Sequence, residues 1–217
     1  MASAVALLVA AGRGERLGSQ GPKAFVPCGG RPMLEWSVDA LRAVPDIEHI
    51  VFALPPGLTA PHGLIAVPGG AERSHSVLAA LHAAPPGDVV VVHDAARPLV
   101  TRELVEECLD VLEGEECDAA IAAAPLADTV KEGAGDIVVR TLDRSRLWAV
   151  QTPQVFRREA LHQALVRAPG GLDTATDDAS LVEAAGGTVR LVPAPRWNLK
   201  VTTPEDLRVA DLLLRAR

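Results

Sequence analysis

Residues 5–25 read VALLVAAGRGERLGSQGPKAF, and the fold follows from how this stretch is parsed. Val5–Val9 is an unbroken apolar run, the pattern of a strand covered on both faces. The chain then turns at once into a glycine-rich loop that carries Arg16 and Lys23. In an open α/β sheet, ligands bind beyond the carboxyl ends of strands. A charged loop in that place therefore predicts a site as well as a strand. Gly12 and Gly14 remove side chains, so that backbone N–H groups can approach phosphate oxygens. Gly12, Gly14 and Gly18 do not make G-x-G-x-x-G, and Lys23, between Pro22 and Ala24, does not make a P-loop. The spacing predicts a phosphate-binding loop of a third type. The plainer alternative is a surface loop with solvated charges.

The rest of the chain continues the alternation. A helix is predicted over Pro32–Val44, with the proline in its first turn, then strands at His49–Leu54 and Leu64–Val67 and a helix over Ser74–Ala84. Asp88–His93, DVVVVH, is the clearest strand. Thr101 is a predicted N-cap for a helix running to Gly114. Ala119–Ala124 reads as a buried strand, although its alanines also fit a helix. Helices follow near Arg157–Ala168 and Asp177–Ala185, then a strand at Thr188–Val192. The last helix has Thr203 as cap, Pro204 at its first position and Glu205 and Asp206 in its first turn. This order predicts an α/β fold, a Rossmann-like three-layer sandwich around a mostly parallel sheet, in one domain over 1–217. One piece falls outside it. At about 126–148, DTVKEGAGDIVVRTL alternates polar and apolar residues around Gly133-Ala134-Gly135, predicting a protruding β-hairpin that need not pack on the core.

Composition narrows the function. The chain has 217 residues, 48% hydrophobic and 23% charged, which excludes wholesale disorder. Its net charge of −7 argues against nucleic acid as a partner. Only three of its 21 basic residues are lysines: Lys23, Lys131 and Lys200. Where arginine is so strongly preferred, each remaining lysine calls for an explanation. Cys28, Cys108 and Cys117 form no C-x-x-C pattern, so neither a zinc site nor a disulfide framework is expected, and a reducing cytoplasm fits. The apolar run Ala2–Ala11 lacks a basic leader and is too short to span a bilayer, so it reads as a strand and no membrane partner is expected. No fused domain is expected after the last helix.

Other charged groups cluster at predicted strand ends. Gly69–Val77, GGAERSHSV, offers two glycines and then Arg73 and Ser76 at a helix start. Glycine backbone and a serine hydroxyl can read a base edge, but an ordinary turn and helix cap explains them equally well. VHDAARP, Val92–Pro98, follows the strongest strand. Asp94 is placed there for a hydroxyl ligand or, through water, a metal ion, and Arg97 for a phosphate. His93 reads as a packing or hydrogen-bonding residue. QTPQ (Gln151–Gln154) has no clear physical reading. Thr176 reads as a helix cap, Asp177 and Asp178 as first-turn acids, and Lys200 as either snorkelling or aimed into the cleft.

In that order, AAG-x-G-x-R…PK, GGxxRxxSV, VHDAARP, DTVK, QTPQ and N-x-KVTxPEDL resemble the 2-C-methyl-D-erythritol 4-phosphate cytidylyltransferases, over about residues 4–210. The first motif is shared by sugar-phosphate nucleotidyltransferases in general; the later ones are narrower. The resemblance implies a Mg²⁺-dependent enzyme that joins CTP to methylerythritol phosphate, releasing pyrophosphate. It implies that Ala10, Ala11, Gly12, Gly14, Arg16 and Lys23 hold the triphosphate, and that Gly69, Gly70 and Ser76 contact cytosine. It places Asp94 on the erythritol hydroxyls, Arg97 and Thr176 near the same substrate, and Lys200 at the reacting phosphates. It also implies a homodimer whose hairpin arm crosses to the partner, so that Thr129 and Arg144 serve the neighbouring substrate phosphate. Ala71 departs from members that carry Asp there. Three alternatives remain at this point: a cytidylyltransferase for another polyol phosphate such as ribitol 5-phosphate, a sugar-1-phosphate nucleotidyltransferase, and a non-catalytic nucleotide-binding module.

Overall fold

The structure, a computed structural model, describes residues 3–12, 14–18, 21–58, 64–168 and 171–217. The chain begins with β1 (Ala4–Val9), a two-residue hairpin of β2 (Pro27–Cys28) and β3 (Arg31–Pro32), and α1 (Met33–Arg42). Next come β4 (Ile47–Leu54), β5 (Ile65–Pro68), α2 (Arg73–Ala83), β6 (Val89–Asp94), α3 (Arg102–Gly114) and β7 (Ala119–Pro125). The hairpin strands are β8 (Lys131–Ala134) and β9 (Ile137–Thr141), followed by β10 (Trp148–Arg157), α4 (Arg158–Val166), α5 (Asp178–Ala184), β11 (Val189–Pro193) and α6 (Pro204–Arg215).

The seven-stranded sheet has the order β11-β7-β10-β6-β1-β4-β5. Six of its strands run the same way, and β10 runs against both β6 and β7. The period-two rule sorts β1 between two cores. Ala4, Ala6 and Leu8 pack with Leu34, Leu41, Val105 and Leu109 from α1 and α3. Val5 and Leu7 pack with Val77, Leu81, Leu161, Leu165 and Leu181 from α2, α4 and α5. Both faces are covered, which is why the strands read as continuous apolar runs. A third cluster, with Cys28, Met33, Leu99, Val201, Ala210 and Leu214, seats α6. Thr203 Oγ1 accepts from the Asp206 N–H, and the Asp206 carboxylate accepts from the Thr203 N–H. Such a capping box contributes about 1 kcal/mol to the start of a helix. No helix among the described residues is long and apolar enough to cross a membrane.

Three sequence readings need correction. The sequence pattern predicts no strand at Trp148–Arg157, yet β10 is inserted between β6 and β7. Pro153 argues against a central strand because it lacks a ladder donor. Here its pairing with β7 shifts register between Val150 and Gln154, so the proline falls where the ladder is already broken. Thr176 does not cap α5: the Asp177 side chain accepts from the Ser180 N–H instead. Pro32 precedes α1 rather than occupying its first turn. The hairpin forms as expected, as a separate two-stranded sheet turning at Gly135, whose φ is +63°. It leaves the core between the end of β7 and the start of β10, where Pro125 pairs with Trp148.

Candidate active site

Parallel strands deliver their carboxyl ends to one rim. β1 lies between β6 and β4, so the connections leaving it diverge and open a crevice at the point where strand order reverses. Three segments converge there: the loop after β1, the Ala95–Pro98 turn after β6, and Gly69–Glu72 after β5. They enclose a cleft of about 400 Å³, lined by Ala10, Ala11, Gly12, Arg16, Lys23, Gly70, Ser76, Asp94 and Lys200. It opens into a wider space past Gly14, Gly69 and Thr202. A side recess of about 280 Å³, lined by Arg97, Gln151, Thr152, Gln154, Thr176 and Asp177, shares Arg73, Asp94 and Lys200 with the cleft.

The loop after β1 is open where the sequence removed side chains. A Cβ on Gly12 would meet nothing within 4 Å, and Gly14 has φ +73°, a left-handed backbone that favours glycine. The Lys23 N–H donates to the Gly12 carbonyl at 3.3 Å, tying the loop back on itself. Burial and the neighbouring Lys200 ammonium push the Lys23 amine down to about 8, against the opposing pull of Asp94. Arg16, Lys23, Arg73 and Lys200 outnumber the carboxylates of Glu72 and Asp94 in this cleft, so its charge suits an anionic ligand. Gly69 and Gly70 are sterically required as well. A Cβ on Gly69 would lie 2.2 Å from the Ala11 Cβ, and one on Gly70 would lie 2.3 Å from the His75 Cβ. Ser76 is buried in the cleft floor, where its hydroxyl accepts from the Gly70 N–H and donates to the Glu72 carbonyl.

Asp94 is the junction of cleft and recess. Arg73 Nε donates to its Oδ1 at 2.9 Å, and Lys200 Nζ lies 2.6 Å from its Oδ2. Burial alone would raise the Asp94 pKa, but these two cations hold it well below the usual carboxylate range. Its position is set from behind by a hydrogen-bond chain. The Asp94 N–H donates to Thr152 Oγ1 at 3.1 Å, the Thr152 hydroxyl meets His93 Nδ1 at 3.0 Å, and His93 Nε2 meets the Arg97 carbonyl at 3.3 Å. Because the Arg97 carbonyl can only accept, Nε2 carries the imidazole proton, and in the neutral ring Nδ1 accepts from the Thr152 hydroxyl. Burial keeps the ring neutral, pushing the His93 pKa down to about 4. Asn198 donates to Gln151 Oε1 and to the Thr152 carbonyl, and Arg97 donates to the Asn198 carbonyl at 2.8 Å. The segment before α6, which carries Lys200, is thereby pinned to β10.

The profile described as IspD: 2-C-methyl-D-erythritol 4-phosphate cytidylyltransferase matches residues 4–216. The chain belongs to this family. The 2-C-methyl-D-erythritol 4-phosphate cytidylyltransferase of Deinococcus radiodurans is 46% identical over 210 residues, covering 96% of this chain and 88% of that protein. The crystal structure of the 2-C-methyl-D-erythritol 4-phosphate cytidylyltransferase from Thermus thermophilus superposes with a TM-score of 0.82 at 38% identity, over 96% of this chain and 98% of that one. The bifunctional enzyme IspD/IspF of Rhodospirillum rubrum is 43% identical over 99% of this chain, which spans 58% of that protein. Like its IspD relatives, the chain is a nucleotidyltransferase.

Within this IspD chain, the residues that the resemblance assigned to the site line the connected cleft and recess, except Thr129 and Arg144. Those two are exposed near the base of the hairpin, where Arg144 donates to the Ala127 carbonyl. Magnesium fits poorly as a protein-held ion. Among the described residues no group of three or more His, Cys, Asp or Glu is placed to hold a metal, and each Asp94 oxygen is taken by a cation. Sequence reasoning undervalued Arg73 and Asp178. Arg73 opens α2, and a cation at the positive end of a helix is unfavourable unless an anion holds it there; that was the available signal. Gln151, Thr152 and Gln154 contributed to the resemblance but had no physical reading without the strand that positions them.

Proposed function

We propose that this chain transfers the cytidylyl group of CTP to 2-C-methyl-D-erythritol 4-phosphate, giving 4-diphosphocytidyl-2-C-methyl-D-erythritol and pyrophosphate, an isoprenoid-precursor reaction. The observation that carries this reading is the shared wall of Arg73, Asp94 and Lys200 between a cationic cleft and a polar recess. The triphosphate takes the cleft, along the Ala10–Gly14 backbone, Arg16 and Lys23, with cytosine against Gly69, Gly70 and Ser76. The alcohol phosphate takes the recess, with its hydroxyls on Asp94 and Arg97 and Thr176 beside it.

The nucleophile is an oxygen of the substrate's own phosphate monoester, which is already anionic at neutral pH, so no general base is required. Its bond to the α-phosphorus forms as the bond to the bridging oxygen breaks, and pyrophosphate leaves with that electron pair. The barrier is the approach of two anions. Lys23, Arg16 and Lys200 lower it by fixing positive charge where the transition state concentrates negative charge. Among the described residues no donor set is placed to hold Mg²⁺, so any Mg²⁺ would have to be brought by the nucleotide, where it would supply further positive charge.

We further infer a homodimer built through the hairpin, with Thr129 and Arg144 reaching the neighbour's substrate phosphate. Support comes from β9, whose Ile137 is 70% exposed beside the exposed Val138 and Val139, an apolar strip for a partner to cover. A cytoplasmic location is supported by three free, buried thiols, of which Cys28 is pushed by burial up to about 11. The test is pyrophosphate release and cytidylylated product from CTP and Mg²⁺ with either methylerythritol phosphate or ribitol 5-phosphate. Preferential turnover of the first is expected. Preferential turnover of the second would transfer the assignment to the other alcohol, and no release with either would leave only a nucleotide binder.

A further inference from the structure

We propose that Arg73, anchored on the buried carboxylate of Asp178, is a positioning residue for the acceptor: it fixes the Asp94 carboxylate that receives the acceptor's hydroxyls. The inference rests on the assignment of the side recess to the acceptor. Arg73 spans two acids from different elements. Its Nε donates to Asp94 Oδ1 at 2.9 Å, and its Nη1 donates to Asp178 Oδ2 at 2.5 Å. Asp178 is fully buried, its Oδ1 has no hydrogen-bond partner among the described residues, and Arg73 is the cation that faces it. A buried carboxylate with one paired oxygen is costly, so its presence behind Arg73 calls for a use. Its effect is to draw the guanidinium back and hold the fork in one orientation.

That orientation decides what Asp94 can do. With Oδ1 held by Arg73 and Oδ2 by Lys200, the carboxylate cannot rotate, yet an ionised carboxylate keeps lone pairs beyond two bonds. Arg73, Asp94 and Lys200 line the recess together, so those remaining lone pairs are available to substrate hydroxyls that donate. A lysine at position 73 cannot reproduce this arrangement, because a point charge does not offer two donors in a fixed fork. The three elements that meet here, α2, the end of β6 and α5, are far apart in sequence. The side-chain bonds of Arg73 go to Asp94 and Asp178 and not to the loop after β1, so losing the anchor acts on the acceptor recess first.

The test is steady-state kinetics and CTP-binding calorimetry on the unaltered chain, Arg73→Lys, Asp178→Asn and the double variant. For Arg73→Lys, the acceptor KM should rise about tenfold or more, the scale of one lost charge-assisted hydrogen bond, while CTP affinity stays within about threefold. Asp178→Asn should move the acceptor KM in the same direction by less. The double variant should be no worse than Arg73→Lys alone, because Asp178 acts only through Arg73. Equal loss for both substrates, including through failure to fold, would make the network merely structural and overturn the proposal. So would additive effects in the double variant. Absence of turnover by the unaltered chain would overturn the acceptor assignment itself, before any variant is read.

Discussion

Lys23 shows how much one residue can carry. It is one of three lysines in a chain that otherwise uses arginine, and it lies where the loop after β1 meets the segment before α6. Its amine is pushed down by burial and by Lys200, so it sits among cations in a confined space. A compact ammonium fits there, and a planar guanidinium brings a different volume and donor geometry. Lys23→Ala should lower turnover by about 10²-fold or more, the cost of one preorganised charge donor. Lys23→Arg should also fail despite keeping its charge. Lys131→Arg should retain activity, since Lys131 is exposed on the hairpin and donates to Thr141 Oγ1 across β8 and β9. Steady-state turnover of the three variants checks this, and full activity of Lys23→Ala would reduce Lys23 to a surface charge. The scarcity of lysine made Lys23 and Lys200 legible in the sequence. Asp178 was not legible, because an acid in the first turn of a helix is ordinary until the helix is seen buried against Arg73.

At the scale of elements, the strands with unbroken apolar runs were readable, and β10 was not. Its centre, Gln151–Gln154, is polar and contains a proline, which is a poor strand pattern. The structure tolerates it because those side chains are bonded to Pro195, His93, Asp177 and Asn198 rather than packed in oil. The same insertion throws the hairpin outward, since the end of β7 and the start of β10 lie side by side and the residues between them leave the sheet there. If that hairpin carries Arg144 to a partner's substrate, the two kinds of lesion fall in different sites of a mixed dimer. Refolding or co-expressing an Arg144→Ala chain with an Asp94→Ala chain should restore one competent site per heterodimer. Activity no higher than either parent would remove the shared-site arrangement.

Across the whole molecule, the sheet's main act is to gather charge. Arg16, Lys23, Arg73, Asp94 and Lys200 come from both ends and the middle of an acidic chain, and together they line one cleft. In the chain alone, burial and Lys200 push the Lys23 amine down to about 8. A bound triphosphate stabilises its charged form and raises that value, so CTP binding should take up protons around pH 8 and weaken as pH rises further. Calorimetry at pH 8 in two buffers of different ionisation heat should show buffer-dependent enthalpies, and Lys23→Arg should abolish the Lys23 contribution because guanidinium does not titrate there. Identical enthalpies for the unaltered chain would contradict the coupling. The sequence by itself determined the α/β class, the hairpin and the charged, glycine-rich loop after β1, because apolar period, glycine placement and capping residues act over a few neighbours. Only the tertiary structure decided that Asp94 is shared by Arg73 and Lys200, that Asp178 stands behind Arg73, and that β10 runs through the sheet. Those are contacts between segments distant along the chain, and burial and charge pairing, not local pattern, set them.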